Sequence, residues 1–382
     1  MRERGAVLWH ERSRRWLVFA HAEANAALRD RRLGRIWSDK QPADRFAPFN
    51  LLHRNQMMEN EPPAHTRLRR PVAQAFARGH VERLRPRVRA LAGELLDRVD
   101  PAGFDVIREY AEPLPVLVIA ELLGVPASDH TELRRWSQAI VRMYEETRSR
   151  KMEDAAVAAG AEFAGYIRDH ARAKRRRPGD DLMSDLLRPD GGAGGGALTD
   201  DELVASVVLL LNAGHEASVN VFGNGFVALL ENPEQLARLR ADPGLASTAV
   251  EEMIRFDSAL QLFERTATAD LELGGRPLAT GEMVAVLLGS ANRDGRVFER
   301  PDVFDVGRDP NPHVGFGAGV HFCLGAPLAR MELVESLARL VRRWPGLGLA
   351  AAPLRRPTLV LRGYESVRVA ASTRPEGEAG RG

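Results

Sequence analysis

The only cysteine of this 382-residue chain, Cys323, lies in a glycine-punctuated segment, residues 316–325, which reads F-G-A-G-V-H-F-C-L-G and precedes an apolar, helix-like stretch. Glycine lets the backbone take positive φ and approach a flat ligand closely, and the amides after Cys323 can point at its sulfur. A cysteine considered alone is most often an inert, buried small hydrophobe. In this loop we instead interpret Cys323 as a thiolate that binds iron.

The spacing F-G-x-G-x-H-x-C-x-G resembles the haem-binding signature of the cytochrome P450 monooxygenases. The resemblance extends over about residues 5–370 and implies the cytochrome P450 fold of the soluble bacterial type, with haem b (iron protoporphyrin IX) as the cofactor. It implies that Cys323 is the metal ligand and that Phe316, Gly317 and Gly325 contact the cofactor. Cysteine is the axial ligand that pushes electron density onto haem iron and favours cleavage of the O–O bond.

The composition of the chain narrows the class of protein. With 54 basic and 52 acidic side chains the net charge is only +2, which argues against nucleic acid as a partner. A single cysteine excludes an intramolecular disulfide, and no long apolar run follows the charged N-terminus, so we expect a cytoplasmic enzyme without a membrane partner. Because no polar linker separates two cores, we predict one domain over residues 1–371 and a disordered tail over 372–382.

Helix signals dominate the sequence. Thr199-Asp200-Asp201-Glu202 matches the T-x-x-E capping box, and the lack of proline before Pro233 predicts a helix of up to about 33 residues. Other helix-forming segments are residues 64–99, 128–146 and 151–176, and short strand signals occur at 271–273, 283–288, 359–361 and 367–369. We therefore expect a mainly α fold with a small β region (α+β) and a long central helix over the haem.

Within the long helix, residues 213–218 read A-G-H-E-A-S, which resembles the family's oxygen-activation motif A-G-x-[D/E]-T-[T/S]. The small residues Ala213 and Gly214 would leave a groove for dioxygen, or would alternatively let a neighbouring helix pack closely. Ala217 replaces the threonine that usually helps to deliver protons, and alanine cannot relay a proton. Protons would then come from Glu216, Ser218, ordered water or a substrate hydroxyl, so we expect the coupling of electrons to product to depend strongly on the substrate.

The resemblance also implies where the two haem propionates bind, because buried carboxylates need cationic or donor partners. The matching positions are His65 and Arg69 at i and i+4, Arg265, and His321 two residues before the cysteine. Each of these side chains alone would be typical of a solvated or structurally satisfied group. Their joint occurrence favours propionate binding.

Glu252 and Arg255 lie at i and i+3 of a predicted helix and match the family's E-x-x-R pair. The resemblance implies a structural role, in which the pair holds the segment that leads to the cysteine loop. Many relatives have arginine where this chain has Val303. Arg308 or Arg293 would have to complete the network here.

The resemblance further implies a substrate pocket above the iron. Its lining would include Leu209, Asn212, Ala213, Ala217, Leu260, Gln261, Tyr364 and part of a mobile lid over residues 49–58. Asn212 and Gln261 indicate hydrogen bonds to a partly polar substrate, or else they satisfy backbone groups.

The chain has no G-x-G-x-x-G that opens a helix after a strand, so electrons would come from a separate ferredoxin and its ferredoxin reductase. A basic patch would steer the acidic ferredoxin, although the same arginines could simply solvate helix surfaces. The patch consists of Arg67, Arg70, Arg330, Arg339, Arg342 and Arg343.

Three functions are compatible with these residues. The first is a monooxygenase that uses dioxygen to oxidise a small organic substrate in secondary metabolism. The second uses the same site for oxidative coupling, desaturation or peroxide-driven oxidation. The third, from a different class, is a haem gas sensor without turnover, which the absence of any signalling module in the sequence disfavours.

Overall fold

The computed structural model describes residues 2–74, 76, 78–145, 147–188 and 197–371. The predicted tail, residues 372–382, lies outside these ranges. As expected, the described chain is mainly helical. Its helices are α1 His21–Arg29, α2 Ala47–Arg54, α3 Ala64–Ala73, α4 Arg78–Leu96, α5 Pro113–Leu123, α6 His130–Val141, α7 Arg150–Arg176, α8 Leu182–Leu186, α9 Asp200–Glu231, α10 Pro233–Ala241, α11 Ala246–Phe256, α12 Leu288–Ala291 and α13 Ala326–Arg343.

The β structure is small and divided among several sheets. The strands are β1 Val7–His10, β2 Arg15–Val18, β3 Leu33–Gly34, β4 Phe104–Asp105, β5 Phe263–Ala267, β6 Leu271–Leu273, β7 Arg276–Leu278, β8 Met283–Val286, β9 Leu347–Leu349, β10 Leu354–Arg355, β11 Tyr364–Ser366 and β12 Arg368–Ala371. The largest sheet has the order β1-β2-β8-β5-β3, in which only β2 and β8 are parallel. The other sheets are β4-β12-β9, β10-β11 and β6-β7.

The long helix α9 is the centre of the main hydrophobic core. Its N-terminus has the predicted capping box, in which the Thr199 side chain accepts from the Glu202 amide and the Glu202 side chain accepts from the Thr199 amide. The helix packs against α2, α5, α7 and α11. Gly225 allows α11 to approach, because a Cβ at this position would clash with Met253.

By length and composition α9 could cross a membrane, but 83% of its apolar window is buried inside the protein. Burial of this extent is what the core helix of a globular fold requires, since a helix that is apolar on all sides must be covered by other elements.

Several element boundaries differ from the sequence-based expectations. The predicted helix over 64–99 is divided into α3 and α4. Residues 359–361 form no strand, and only Leu361 makes an isolated bridge, to Leu260. The hairpin of β1 and β2 and the strand β5 were not predicted, because their short sequences carry little periodicity and are stabilised by long-range pairing with β8.

Candidate functional site

The cysteine loop is held in a defined shape by its glycines. Gly317 and Gly319 both have φ of +70°, and a Cβ on Gly319 would clash with the carbonyl oxygen of Leu28. The Cys323 amide donates a hydrogen bond to the Phe316 carbonyl at 3.0 Å, which closes the loop. Gly325 differs from the other two glycines, because its φ of −79° is open to any residue. The chain thus needs glycine for backbone conformation at two of the three positions.

The Cys323 thiol lies at the N-terminus of α13. Burial raises the pKa of this thiol, while hydrogen bonds from the amides of Gly325 and Ala326 and the charges of Arg69 and Arg330 lower it. Burial is the largest of these effects and holds the pKa of the thiol above its ordinary value, whereas the amide donors and the two cations are the groups that would stabilise a thiolate bound to a metal. Arg330 also lies over the Phe316 ring, 4.5 Å from its centroid.

Two of the predicted propionate ligands, His65 and His321, lie side by side with their ring centroids 4.6 Å apart. Nε2 of His321 is 2.8 Å from Oε1 of Glu61. His65 is buried, and among the residues that the structure describes neither of its ring nitrogens has a hydrogen-bond partner. Burial lowers the pKa of His65 to about 4, so the imidazole is neutral at pH 7 and has one N–H to donate. An unpaired buried donor at this position fits a ligand carboxylate.

The two predicted arginines also lie near the loop. Arg69 donates to the carbonyl oxygen of Phe322 at 2.7 Å. Arg265 is buried and donates to a single carbonyl, that of Glu264, at 2.8 Å. Burial, followed by repulsion from Arg35, lowers the pKa of Arg265 to about 10. A buried guanidinium with one backbone partner still has donors for a carboxylate.

Arg35 is a residue that the sequence analysis missed. The register of β3 and β5 pairs Gly34 with Thr266, which brings the next residue of the chain, Arg35, to the side of Arg265. Arg35 forms an ion pair with Glu59 at 2.6 Å. No local pattern signals this arginine, because only strand pairing brings it to the site.

Three small residues interrupt the burial of α9. From Leu203 to Leu229 every residue of the helix is buried except Ala213, Gly214 and Ala217. A Cβ on Gly214 would lie 3.3 Å from Cγ1 of Ile119, so this glycine also serves close packing against α5. Ala213 and Ala217 are one helical turn apart and leave an open strip in the middle of the core helix.

Glu216 and Ser218, two polar residues of the oxygen-activation motif, are both buried. Oε2 of Glu216 accepts from Nη1 of Arg356 at 3.2 Å, and its Oε1 has no hydrogen-bond partner in the part of the chain that the structure describes. Ser218 lines a narrow cavity together with Tyr110 and Glu332. Burial raises the pKa of Glu332 well above its ordinary value.

The E-x-x-R pair is formed as predicted, and Arg308 completes it. Nε of Arg308 donates to Oε2 of Glu252 at 3.0 Å. Arg293 contacts Asp302 and the carbonyl oxygen of Phe256 instead. Arg255 also donates to the carbonyl oxygens of Asn292, Pro301 and Val303.

The predicted pocket residues lie in different parts of the structure. Leu209 and Asn212 lie on α9 within about one turn of Ala213, and the Asn212 Oδ1 has no hydrogen-bond partner within the described ranges. Leu260 joins Leu361 in the isolated bridge. The Gln261 side-chain amide donates to the Ser258 carbonyl. This side chain therefore satisfies a backbone group, which was the alternative to a hydrogen bond with the substrate.

Tyr364 and the predicted lid lie in different surroundings from those expected of a pocket rim. Tyr364 packs near Gly223, about 9 Å along the helix axis from Ala217. The lid over residues 49–58 includes most of α2, and the buried rings of Phe49 and His53 stack with centroids 4.0 Å apart.

The predicted basic patch is partly neutralised by acidic neighbours. Arg330 pairs with Glu251, Arg343 with Asp97 and Arg67 with Glu202. Arg70 and Arg342 are exposed, and Arg339 is half-buried beside Gly93.

Together these residues fit an iron porphyrin. Cys323 would bind the metal, and His65, Arg69, Arg265 and His321 would hold the propionates. The strip at Ala213 and Ala217 would lie over the opposite face of the ring. When bound, haem supplies the redox chemistry that no side chain of this set can perform.

Comparisons with known proteins identify the family of this chain. The family model described as "Cytochrome P450" matches residues 116–243 and 244–345. Cytochrome P450 107B1 of Saccharopolyspora erythraea is 40% identical over 370 residues, which covers 93% of this chain and 88% of that protein. Cytochrome P450 monooxygenase PikC of Streptomyces venezuelae is 39% identical over 345 residues, which covers 88% of this chain and 80% of the relative.

Solved structures show the same fold. The crystal structure of P450BioI in complex with a hexadec-9Z-enoic acid ligated acyl carrier protein has a TM-score of 0.93 and 34% identity, and covers 97% of this chain and 96% of that chain. The family model, the relatives and the solved structure all indicate the same family: this chain belongs to the cytochrome P450 family of monooxygenases.

Proposed function

We propose that this protein is a cytoplasmic haem-thiolate monooxygenase that binds haem b through Cys323 and oxidises a small organic substrate in secondary metabolism. The observation that carries the proposal is the cysteine loop, in which Gly317 and Gly319 take positive φ, the Cys323 amide closes the loop on the Phe316 carbonyl, and the amides of Gly325 and Ala326 donate to the sulfur. Hydrogen-bond donors to an axial thiolate influence the redox potential of the metal that it binds.

The substrate class is inferred from the relatives and from the open strip. One relative is 6-deoxyerythronolide B hydroxylase of Saccharopolyspora erythraea, which is 39% identical over 93% of this chain. The strip is flanked by Leu209 and by Asn212, whose Oδ1 lacks a partner. A mainly apolar substrate with one hydrogen-bond donor would match these side chains.

We propose that electrons come from a ferredoxin and its reductase, which dock near the cysteine loop. Exposed Arg70, one residue after Arg69, which donates to the Phe322 carbonyl of the loop, supports this proposal, because exposed surface cations attract an acidic partner at low ionic strength.

Ala217 favours a second candidate, in which the same site performs oxidative coupling, desaturation or peroxide-driven oxidation. Without a hydroxyl at position 217 the usual proton donor is missing, and reactions with a lower demand for controlled proton delivery become competitive.

The test is spectroscopic and catalytic. The purified protein, reconstituted with hemin, is reduced under carbon monoxide, and a thiolate-type Soret band is expected. A compound library is then screened for the shift in ferric spin state that a bound substrate causes. Hits are incubated with NADPH, a surrogate ferredoxin and its reductase, and oxidised product is expected. An imidazole-type band, or gas binding without oxygen consumption, would overturn the proposal.

A further inference from the structure

Glu251 lies immediately before the Glu252–Arg255 pair on α11, and its carboxylate contacts residues on both sides of the cysteine loop. Oε1 of Glu251 accepts from Nε of Arg330 at 2.6 Å, and its Oε2 accepts from Nη2 of Arg330 at 2.9 Å. The same Oε2 lies 2.9 Å from Nε2 of His313. Because His313 precedes the loop and Arg330 follows it on α13, this carboxylate joins the two segments that flank the loop.

The orientation of the His313 ring is fixed by the backbone. The amide of Gly315 donates to Nδ1 of His313 at 3.2 Å, so this nitrogen carries no proton and Nε2 is the protonated one. The Nε2 N–H of His313 therefore donates to Glu251. A Cβ on Gly315 would clash with Ile254, so the chain before the cysteine loop packs closely against the helix that carries Glu251.

Arg330 and His313 both lie against the ring of Phe316, the first residue of the loop. The guanidinium carbon of Arg330 is 4.5 Å from the centroid of this ring, and the centroid of the His313 ring is 6.0 Å from it. The Phe316 carbonyl accepts from the Cys323 amide at 3.0 Å. A short series of contacts therefore connects Glu251 with the residue that carries the sulfur.

Arg330 and Glu251 form a neutral pair beside the loop. Burial alone would raise the pKa of Glu251, but hydrogen bonds from Arg330 and His313 lower it to about 2, so the carboxylate is ionised at neutral pH. Within the described ranges, Glu251 is the only carboxylate that pairs with Arg330. The side chains of Arg330 and Glu251 are only 38% and 26% exposed, so solvent screens their charges incompletely.

Charges beside a metal ligand change the reduction potential of the metal. Transfer of one electron from the ferredoxin to bound ferric haem leaves the site with one more negative charge. A cation without a neutralising partner favours this reduced form and raises the potential, whereas an unpaired anion lowers it. The potential should therefore depend on whether Arg330 has its carboxylate.

We propose that Glu251 is a positioning residue that sets the reduction potential of the haem site, by neutralising Arg330 beside the cysteine loop and by holding His313 at the start of that loop. This inference rests on the proposed function. The role differs from that of neighbouring Glu252, whose carboxylate holds the preceding segment through Arg308 and the Asp305 amide.

Three variants of the haem-loaded protein test the charge balance, and each is titrated with dithionite in the presence of redox mediators to obtain the midpoint potential. Glu251→Gln leaves Arg330 without a charged partner and is expected to favour the ferrous form about tenfold, a rise of about 59 mV for one electron. Arg330→Gln leaves the carboxylate without its cation and is expected to lower the potential by a similar amount. The double variant Glu251→Gln with Arg330→Gln is expected to return close to the wild-type potential.

A purely structural role of Glu251 predicts a different pattern. Loss of a structural contact would disturb the loop in both single variants and in the double variant, so the shifts would neither be opposite in sign nor cancel. Added salt gives an independent check, because ions screen the partly exposed Arg330 and should reduce the shift that Glu251→Gln causes.

Glu335→Gln is the matched control. Like Glu251, Glu335 is a carboxylate held by two cationic side chains, since it accepts from Arg85 at 2.7 Å and from Arg89 at 2.9 Å. It lies on α13 as Arg330 does, but about 7.5 Å farther along the helix from the cysteine loop. Its substitution is expected to change the reduction equilibrium less than about twofold.

The ferrous carbon monoxide spectrum of each variant should keep the thiolate-type band, because the axial ligand is unchanged. If the two single variants shift the potential no more than the control, or in the same direction, or if the double variant stays far from wild type, the inference is overturned while the proposed function stands. Should Glu251→Gln fail to hold haem, an unchanged or raised potential in Arg330→Gln overturns the inference. A wild-type protein without a thiolate-type band would overturn the proposed function itself.

Discussion

Arg255 and Glu252 face each other in a bidentate ion pair, with both N–O distances at 2.7 Å and both side chains completely buried. Arg308 adds a second cation to the same carboxylate, and the Asp305 amide donates to it at 3.0 Å. The pair thereby fixes residues 301–308 against α11, and this segment leads directly to the cysteine loop.

Glu252→Gln is expected to lower the free energy of unfolding by about 3–5 kcal/mol, because it leaves the buried charge of Arg255 without its carboxylate. Urea denaturation measures the change. Arg238→Gln is the control, since Arg238 pairs with Asp305 in the same region but is 49% exposed, and a surface pair contributes at most about 1 kcal/mol. Equal effects of the two substitutions would contradict the structural role of the pair.

Cys323→His is expected to retain haem but to lose the thiolate-type carbon monoxide band and the oxidation of substrate. The physical reason is that imidazole donates less electron density to the iron than thiolate does. The optical spectrum of the reduced carbon monoxide complex checks this expectation. A variant that keeps the thiolate-type band would show that Cys323 is not the ligand.

Arg265→Met is expected to affect the haem-free and haem-bound proteins in opposite directions. Without haem, the buried guanidinium has one carbonyl partner and a pKa lowered to about 10, so an apolar replacement should stabilise the protein. With haem, the variant should release the cofactor faster, because a propionate loses its cation. Thermal unfolding of the apoprotein and transfer of haem to apomyoglobin measure the two effects. Slower haem release would disprove the propionate role.

Ala217→Thr is expected to lower hydrogen peroxide per NADPH, because it restores a hydroxyl beside Glu216 on the open strip of α9. The gain should be largest for substrates without a hydroxyl of their own. Ala217→Val, which has nearly the same shape but no hydroxyl, is the control. If valine and threonine reduce peroxide equally, the effect comes from side-chain volume.

His53→Phe is expected to flatten the pH dependence of stability in mildly acidic solution. Burial lowers the pKa of His53 in the folded state to about 4, from an ordinary value of 6.5. The unfolded chain therefore binds a proton first, so the folded state is fully favoured above pH 6.5 and loses about 3 kcal/mol as the pH falls toward 4.

Urea unfolding at several pH values checks this prediction. Phenylalanine keeps the stacking of His53 against Trp37 and Phe49 but cannot take up a proton. His10→Phe, at an exposed position, should leave the pH profile unchanged. An unaltered slope between pH 6.5 and 4 in His53→Phe would show that another group is responsible.

The features that the sequence alone determined are those that depend on neighbours along the chain. The capping box at Thr199 and Glu202 set the start of α9, and the run without proline set its length. The glycine pattern around Cys323 likewise identified the loop, because positive φ at Gly317 and Gly319 is a local steric requirement. Side-chain spacing of i, i+3 was enough to predict the pairing of Glu252 with Arg255.

Tertiary structure decided which distant charges meet. Arg356 lies 140 residues from Glu216, and Arg35 reaches Arg265 only through the pairing of β3 with β5. The choice of Arg308 over Arg293 as the partner of Glu252 depends on how residues 301–308 turn. Ion pairs between separate segments require the folded chain to bring their members together, so spacing along the sequence does not predict them.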